Sequence, residues 1–478
     1  MKIQLFGVGL KGKSPAIDAQ RRINCYVEQQ KDDVRTMLAL IGSAGLLPFC
    51  TTIGAFPSRG MWPANSLASP LVFSVHGGTL YSIDASGTPL VIGVIGTMTG
   101  DVSMADDGRC LVLVDGIRGY YYDMLTPSGL NLITDGNFTT SPKTVTWQGT
   151  YFIVNSGATN QFQFSLNASP ITWPAVNIGF AESGSGALQA VMADHSVLNI
   201  FGELYSEFWQ NTGSPDLPYS VIPGSAQEYG LAAAFSLCKY DNSMAGLFKN
   251  TMGECNISRM SGFRLQQISN LELDSILNDR TVYPTVNDAT AYGYMLGGHP
   301  MYQINFPTAG KSWEFDGASQ VWGERQATNG GRYWGNKFAS FQNRKLVSDY
   351  RNGNIYEIST TTYDDNGSMV PMEIWSKRIW NEDKYIGIEQ IQIDVQAGVG
   401  LVSGQGSNPQ MDLQVSKDGG NTFTSVGYAS IGAIGAYTQR VIWRSLGAAR
   451  DWILKLRITD PVKRVIVGAS AEMIGGAF

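Results

Sequence analysis

A hairpin pattern that recurs at spacings of 40 to 54 residues constrains the fold of this chain more than any other feature. Seven segments share an apolar strand, a turn bearing Gly or Asn, and a second strand that usually carries an aromatic residue. The markers on the second strands are Tyr81, Tyr121, Phe162, Tyr205, Cys255, Tyr302 and Tyr356. A single four-stranded sheet cannot bury both of its faces alone. Hairpins at this period therefore indicate the blades of a β-propeller, which stack on one another around an axis.

The sequence predicts an all-β protein whose propeller has about seven blades. Six blades are an alternative, because the fifth repeat has Cys255 where the others have an aromatic residue. A series of β-sandwiches with the same spacing is a second alternative. The chain has 55 Gly, 21 Tyr and only 15% charged residues, a composition that favours strands joined by tight turns.

The pattern changes after about Thr362, which predicts a propeller over residues 51–362 and a separate domain over residues 363–478. In this second part Leu454, Leu456 and Ile458 alternate with charged residues, as in a strand with one buried face. An antiparallel β-domain of the sandwich type is expected there. Residues 1–50 precede the first repeat and are predicted to form an arm, in which Thr36 to Leu40 can supply a strand that closes the last blade.

Charge and cysteine usage exclude several classes of protein. A net charge of -6 and a pI near 5.2 argue against general adhesion to nucleic acid or to anionic membranes. The five cysteines are scattered and never form a C-x-x-C pair, which argues against a disulfide framework or a zinc site and fits folding in a reducing cytoplasm. We predict neither a signal peptide nor a membrane span.

Two motifs with the spacing of ligand or catalytic sites lack the rest of such a site. Gly7 to Ser14 matches the phosphate-loop spacing G-x-x-x-x-G-K-S, but Pro15 follows at once and no βαβ pattern is present, so a flexible basic arm is favoured. The three histidines, His76, His195 and His299, lie far apart in the sequence, and structural or surface roles are favoured. No catalytic, cofactor-binding or metal-binding residue is predicted.

The segment SKDGGNTF, Ser416 to Phe423, matches the Asp box S-x-D-x-G-x-T-W of sialidase hairpins except at its last position. It occurs once and lies outside the repeats, whereas a glycan hydrolase would carry such boxes within its blades. We predict a structural turn. Asp418 accepts backbone amides, Gly419 and Gly420 permit positive φ, and Phe423 packs underneath. A propeller-type glycan hydrolase, sialidase-like or depolymerase, is the alternative function.

Both ends of the chain resemble one protein family. The start GKSPAIDAQRRINCYVE is similar to the Q-R-x-I-N-x-Y-x-E opening of the packaged-DNA stabilisation proteins of short-tailed bacteriophages, also called tail hub or nozzle proteins. The end, from LQVSKDGGNTF to the closing D-P-V-K region, resembles the same family. Cys25, Val27 and Ala44 depart from the family pattern.

The resemblance implies a structural component of the virion tail that is made and folded in the host cytoplasm. It implies a ring of copies, expected to be a hexamer, around the DNA channel below the head-to-tail adaptor or portal complex. The ring would hold the tail needle or plug and the tailspikes or fibres, and would retain packaged DNA without sequence-specific binding. No cofactor is implied.

A local excess of positive charge lies near the C-terminus, with seven basic and two acidic residues from 440 to 464. The basic residues are Arg440, Arg444, Arg450, Lys455, Arg457, Lys463 and Arg464. Such polarity suits head-to-tail contacts in a ring or docking on an acidic partner. An ordinary solvated strand face is the alternative. Because a basic lumen would retain DNA, we predict that the cluster lies away from the channel.

Overall fold

The computed structural model describes residues 9–11, 18–29, 38–214, 218–382 and 384–475. Across these ranges the chain is built almost entirely from strands, with one short α-helix, α1 (Leu271–Leu277), and one turn of 3-10 helix, Ala234–Ser236. The predicted all-β class is confirmed, with a propeller followed by a C-terminal β-sandwich.

Four strands precede the first blade and are divided between the two domains. They are β1 (Arg21–Ile23), β2 (Cys25–Gln29), β3 (Leu38–Gly42) and β4 (Gly45–Cys50). The first three belong to the sheets of the sandwich, where β2 and β3 pair with each other, whereas β4 joins the propeller.

Blades one to four are antiparallel sheets of four strands in chain order. Blade one consists of β5 (Ser58–Ala64), β6 (Leu71–His76), β7 (Thr79–Ile83) and β8 (Pro89–Val94), and blade two of β9 (Ser103–Asp106), β10 (Cys110–Val114), β11 (Gly119–Asp123) and β12 (Asn131–Leu132). Blade three consists of β13 (Pro142–Gln148), β14 (Tyr151–Ser156), β15 (Gln161–Phe164) and β16 (Ile178–Phe180), and blade four of β17 (Leu188–Asp194), β18 (Val197–Gly202), β19 (Ser206–Asn211) and β20 (Tyr219–Val221). Every residue of β10 is buried, since both faces of an inner strand pack against other blades.

Blades five and six depart from this regular pattern. Blade five consists of β21 (Tyr229–Leu231), β22 (Cys238–Tyr240), β23 (Ser243–Asn250), β24 (Cys255–Ser261) and β25 (Arg264–Gln267). Blade six consists of β26 (Thr290–Leu296), β27 (His299–Phe306), β28 (Lys311–Asp316) and β29 (Val321–Glu324). The inner strand of blade five is split, because β21 and β22 both pair with β23 and the 3-10 turn lies between them. Helix α1 follows blade five and buries Leu273 and Leu277 in the core that blades five and six share.

The marker residue of the sixth repeat lies one strand earlier in its blade than the repeat pattern predicts. Tyr302 lies in β27, the second strand of its blade, whereas Tyr81, Tyr121 and Tyr356 lie in third strands. The reason is local, because Gly297 and Gly298 make a tight turn between the first two strands of blade six that resembles the turn between the second and third strands of blade one. The spacing of turns alone does not distinguish one hairpin of a blade from the next.

Blade seven closes the ring with a strand from the arm. It consists of β30 (Gly335–Phe341), β31 (Arg344–Asp349), β32 (Ile355–Ser359) and β4. The described residues therefore form seven blades, and blade seven contacts blade one through β30 and β5. The prediction that residues 36–40 close the ring is wrong, because Leu38 to Leu40 lie in β3, where Leu40 packs into the sandwich core. Thr36 lies outside the described residues.

The C-terminal part begins with a short hairpin, β33 (Asp364–Asp365) and β34 (Ser368–Met369), which extends blade seven beyond β4. The sandwich strands are β35 (Met372–Trp375), β36 (Ile379–Trp380), β37 (Ile386–Val395), β38 (Gln410–Ser416), β39 (Thr424–Ser430), β40 (Val441–Ala449), β41 (Asp451–Ile458) and β42 (Val465–Gly475). One sheet has the order β1-β35-β41-β38-β39 and the other β2-β3-β42-β37-β40. Alternate residues of β41, including Trp452, Leu454 and Leu456, are buried in the core between the sheets.

A single sheet connects the two domains. Strand β29 of blade six pairs in parallel with β1 at Ile23, and β1 pairs on its other side with β35. The sheet of blade six therefore continues through the arm to β39, at the far edge of the sandwich. This arrangement places the N-terminal arm at the junction of the domains.

Candidate functional site at the domain junction and the sandwich edge

Arg21 and Asn24 of the arm join the last strand of blade six to the first strand of the sandwich. Arg21 donates through Nε and Nη2 to the two carboxylate oxygens of Glu324, each at 2.7 Å. Asn24 donates through Nδ2 to the carbonyl oxygens of Gln326 at 2.9 Å and Pro371 at 2.8 Å, and its Oδ1 accepts from the Gln326 amide at 2.9 Å. The paired guanidinium-to-carboxylate geometry is the strong form of such contacts. The junction is thus fixed by specific polar bonds.

His299, the first residue of β27, forms a second connection between blade six and the arm. Its Nδ1 lies 2.9 Å from Asp316 Oδ2, and its Nε2 lies 2.9 Å from Glu28 Oε2. The ring of Tyr26 packs edge-on against the imidazole, with centroids 5.1 Å apart. Burial lowers the pKa of His299, but the hydrogen bonds to Glu28 and Asp316 and their charges raise it above its ordinary value overall. The doubly protonated ring is the form that donates to both carboxylates.

Buried charges lie behind these contacts. Glu314, Arg325, Asp365 and Arg464 are all buried. Burial raises the pKa of Asp365 to about 7, against the opposing effect of Arg325 and Arg464. Burial lowers the pKa of Arg464 to about 10. The guanidinium of Arg325 lies 4.3 Å from the centroid of the Tyr333 ring. Because removing one charge would leave the opposite charges buried, each of these residues is expected to matter for stability.

The inclusion of Arg464 in an exposed basic cluster is wrong. Its side chain is 1% exposed, and Nη1 donates to the carbonyl oxygen of Val370 in the segment that links the domains. The residue lies just before β42, where the Gly42 amide donates to the Arg464 carbonyl oxygen at 2.8 Å, so β3 and the linker cover it. Sequence alternation could not show this, because the covering strand comes from the other end of the chain.

The other six basic residues lie at or near the surface. Arg440, Arg444, Arg450 and Lys463 are exposed. Lys455 and Arg457 are half-buried, because Glu373 on the neighbouring strand lies 3.3 Å from Lys455 Nζ and 3.9 Å from Arg457 Nε. The role of these residues as a contact surface stays a prediction.

Asp418 organises the turn between β38 and β39. Its Oδ1 accepts from the amides of Asn421 and Thr422 at 3.0 Å, and its Oδ2 accepts from Thr422 Oγ1 at 2.6 Å. Hydrogen bonds from the Thr422 side chain, then from backbone amides and Ser416, hold the pKa of Asp418 well below its ordinary range. The carboxylate is therefore engaged by the backbone of its own turn.

The glycines and the aromatic residue of this turn have equally local partners. Gly419 and Gly420 have φ of +75° and +92°, a region that glycine adopts without steric cost. The Phe423 ring packs against Trp375, with centroids 4.6 Å apart. The turn is therefore attached to β35, next to the arm.

The structure does not bring the three histidines together. His76 is buried in blade one, with Nε2 2.8 Å from Ser74 Oγ and Nδ1 2.9 Å from the Phe56 carbonyl oxygen, and burial lowers its pKa to about 4. His195 lies in an exposed turn of blade four, beside Asp194, and His299 lies in blade six. Within the described ranges, no group of three or more His, Cys, Asp or Glu residues is placed to hold a metal ion.

The phosphate-loop-like segment Gly7 to Ser14 lies mostly outside the described residues. Of it, Gly9 to Lys11 are described, and Leu10 is buried in the core between blades five and six. In the part of the chain that the structure covers, no helix is long and apolar enough to cross a membrane.

Sequence reasoning did not identify Glu324, Arg325, Asp365 or the bridging role of His299. A signal was nevertheless present. Four of the motif residues through which the arm resembles the phage family contact blade six or the residues that follow it: Arg21, Asn24, Tyr26 and Glu28. The motif marks the joint between the domains.

Comparisons with known proteins agree with the two-domain architecture. The family model described as "Bacteriophage P22 Gp10, beta-propeller" matches residues 43–363, and the one described as "Bacteriophage P22 Gp10, beta-sandwich" matches residues 371–474. A search of curated proteins gave no match.

Similar solved structures include the WD40 β-propeller domain of Doa1, at 12% identity with a TM-score of 0.42, covering 66% of this chain and 97% of that one. Another is YCF48 bound to D1 peptide, at 12% identity with a TM-score of 0.41, covering 70% and 98%. The family matches together span most of the chain. The chain belongs to the bacteriophage P22 Gp10 family, the tail hub and packaged-DNA stabilisation proteins of short-tailed phages.

Proposed function

We propose that copies of this phage tail protein form a ring around the DNA channel, below the head-to-tail adaptor. The ring, expected to be a hexamer, holds the tail needle or plug and the tailspikes or fibres, and retains the packaged DNA. The protein folds in the host cytoplasm before it joins the tail. The match of both domains to one phage tail family carries this proposal.

The junction supports a structural role. A hub must transmit force between its partners without its domains moving apart. Here the sheet of blade six runs through the arm into the sandwich, and Arg21, Asn24 and His299 bond across the same joint. Most interfaces between the domains of one chain are small and let the domains move relative to each other. A continuous sheet instead favours one stiff body.

The protein is proposed to do no catalysis. The Asp-box carboxylate, Asp418, is engaged by its own turn, and the hairpin lies in the sandwich instead of a blade. Most glycan hydrolases use two carboxylates placed on either side of the scissile bond. The glycan hydrolase remains the alternative to be tested by assay.

Electron microscopy of the purified protein, alone and in its particle, tests the ring. We expect a closed ring below the adaptor in the particle and no release of sugar from host polysaccharide by the purified protein. A particle in which the chain forms no ring would contradict the proposal. So would glycan cleavage that is abolished by changing one pair of carboxylates.

The exposed basic residues are proposed to contact a neighbouring subunit or the adaptor, away from the channel lumen. Arg444→Ala combined with Arg450→Ala should weaken ring formation or docking. The difference from the wild type should be largest at low salt and shrink as salt rises, because exposed charges are screened within about 8 Å at physiological ionic strength. Arg118→Ala combined with Arg264→Ala, two exposed arginines of the propeller, is the matched control. Normal assembly at every salt concentration with abnormal DNA ejection would place the cluster at the lumen instead.

A further inference from the structure

The first three strands of the arm precede the blades in the chain but pair with strands from much later in it. We name β1, β2 and β3 the strap. Strand β1 pairs with β29 and β35, and β3 pairs with β42. Within the described ranges, the one pairing inside the strap is that of β2 with β3, and an isolated two-stranded hairpin is at best marginally stable in water. The strap therefore depends on blade six and on the strands that follow it.

The apolar side chains of the strap depend on late residues in the same way. Cys25, Val27 and Leu40 are at most 5% exposed, and every other buried residue of their core lies between Val321 and Ala471. The cores that join blades one to five are instead each drawn from one short stretch of chain: Ala64 to Met124, Ala105 to Trp173, Ile153 to Tyr219 and Ala190 to Met260. These blades can therefore pack before anything is available to cover the apolar side chains of the strap.

Polar and steric contacts fit the strap to late residues as well. The bonds of Arg21, Asn24 and Glu28 across the junction join residues that are 303, 347 and 271 positions apart. Gly42, the last residue of β3, packs so closely on Arg464 that a Cβ there would lie 2.8 Å from Arg464 Nε and 3.1 Å from Arg464 Cβ. The closed position of the strap is thus specified by the linker, by blade six and by the segment that leads into β42.

Two physical effects make late closure of the strap the expected order. Closing a large loop costs conformational entropy before the contacts it brings can form, so pairings between distant segments form late. Blades one to four are sheets of consecutive strands and need no such loop. A chain that folds while it is being made also completes its first blades before β42 exists, because folding units form from the N-terminal side. Both effects leave the strap until the end.

We propose that the strap closes last, once β42 is available to pair with it, and that only subunits with a closed strap enter the tail. The second part rests on the proposed ring, whereas the order of folding does not. With the strap open, the sheet that joins blade six to the sandwich is interrupted at β1, and the sandwich core lacks three of its buried side chains. Such a subunit has unpaired strand edges and no fixed joint, so its two domains cannot take up their places in a ring together.

Pulse-labelling hydrogen exchange during refolding of the full chain tests the order of folding. We expect the amides of β10, β14 and β18, the second strands of blades two to four, to become protected first. The amides of β1 and β3 should become protected last and together with those of β42. Protection of β1 and β3 in the same phase as β10, or well before β42, would overturn the proposal.

A substitution at Gly42 tests whether an open strap bars entry into the tail. Gly42→Ala forces a Cβ against the buried Arg464, so the amides of β1 and β3 should exchange at least about tenfold faster in the native protein, while β10 and β14 keep their protection. Gly136→Ala is the matched control, at an exposed glycine where no described residue lies within 4 Å of the added Cβ. In tails assembled from equal amounts of variant and wild-type chain, Gly42→Ala should be depleted several-fold and Gly136→Ala not at all.

The outcomes separate this inference from the ring itself. Wild-type particles without any ring would contradict the proposed function, and the order of refolding would still be decided by hydrogen exchange. Tails that admit Gly42→Ala as readily as Gly136→Ala, although β1 and β3 exchange faster, would overturn the role of the strap and leave the ring standing. Loss of protection in β10 and β14 of the Gly42→Ala variant would overturn it as well, because the blades would then not fold ahead of the strap.

Discussion

The propeller and the sandwich bury their apolar side chains in different ways. In the propeller, each core lies between neighbouring blades and draws on residues close in sequence, such as Phe73, Leu111 and Tyr122. The sandwich has one core, and it needs both ends of the chain, from Cys25 to Ala471. Blades can therefore form from local hairpins, whereas the sandwich requires long-range pairing, which is the slower and entropically costlier kind of contact. Strand β4 makes blade seven depend on the arm in the same way.

The largest effect on stability is expected from a substitution in β4, the strand through which blade seven depends on the arm. Leu46→Ala removes a fully buried side chain from the strand that closes blade seven, and should lower the free energy of unfolding by about 2–5 kcal/mol. Hydrogen exchange should rise in blade seven, while β37 and β42 stay protected. Leu47→Ala, at an exposed position of the same strand, is the control and should change stability little. An equal loss of hydrogen-exchange protection in the sandwich would show that the sandwich depends on β4 as much as blade seven does.

A substitution at Asn24 should destabilise both the propeller and the sandwich. Asn24→Ala leaves the Gln326 amide and two carbonyl oxygens without their partner, and should cost about 1–3 kcal/mol for each buried group that stays unsatisfied. Its φ of +53° adds backbone strain for alanine.

Asn24→Gly separates the two causes, since glycine removes the strain but not the loss of bonds. Denaturant unfolding with hydrogen exchange would measure both variants, and exchange should rise in blade six and in the sandwich. Full recovery of stability in the glycine variant would mean that the bonds across the joint contribute nothing.

The contacts of the His299 imidazole with Glu28 and Asp316 should weaken at high pH. Its folded-state pKa is raised above the ordinary value of 6.5, so its contribution to stability is fully present below that pH and is lost as pH rises through the folded-state pKa. The difference in stability between wild type and His299→Gln should therefore shrink across this window. Thermal unfolding at a series of pH values would measure it, with His195→Gln on the exposed turn as control. A difference that stays constant with pH would show that the imidazole is not protonated in the folded state.

The smallest effect is expected for the Asp418 turn, because Asp418 is exposed and its carboxylate accepts hydrogen bonds within its own turn. Asp418→Asn keeps the shape of the side chain and removes its charge, so stability should fall slightly. Because the folded-state pKa is lowered, the contribution is present above the ordinary carboxylate pKa and is lost as pH falls. Thermal unfolding should show this decrease, and tail assembly should suffer only in proportion. Failed assembly with an unchanged thermal transition would make Asp418 a contact with a partner.

The repeats predicted the propeller because hairpin patterns are local. Blade five was counted correctly although Cys255 replaces an aromatic residue, since strand alternation survives around it. Blade six was misaligned because a Gly-Gly turn suits either hairpin of a blade. Within the sandwich, the alternation of Leu454, Leu456 and Ile458 predicted a buried face, and all three are buried.

Local sequence patterns are enough to predict the all-β class, a change of architecture after about Thr362 and the family to which both ends are similar, because each depends on patterns within a few tens of residues. The folded structure is needed to show that β4 closes the ring while β3 enters the sandwich, that Glu324 meets Arg21, and that Arg464 is buried beneath the linker. These features depend on contacts between residues as far apart as Leu40 and Ile466, 426 positions along the chain. Local sequence patterns do not show which of such distant segments come together.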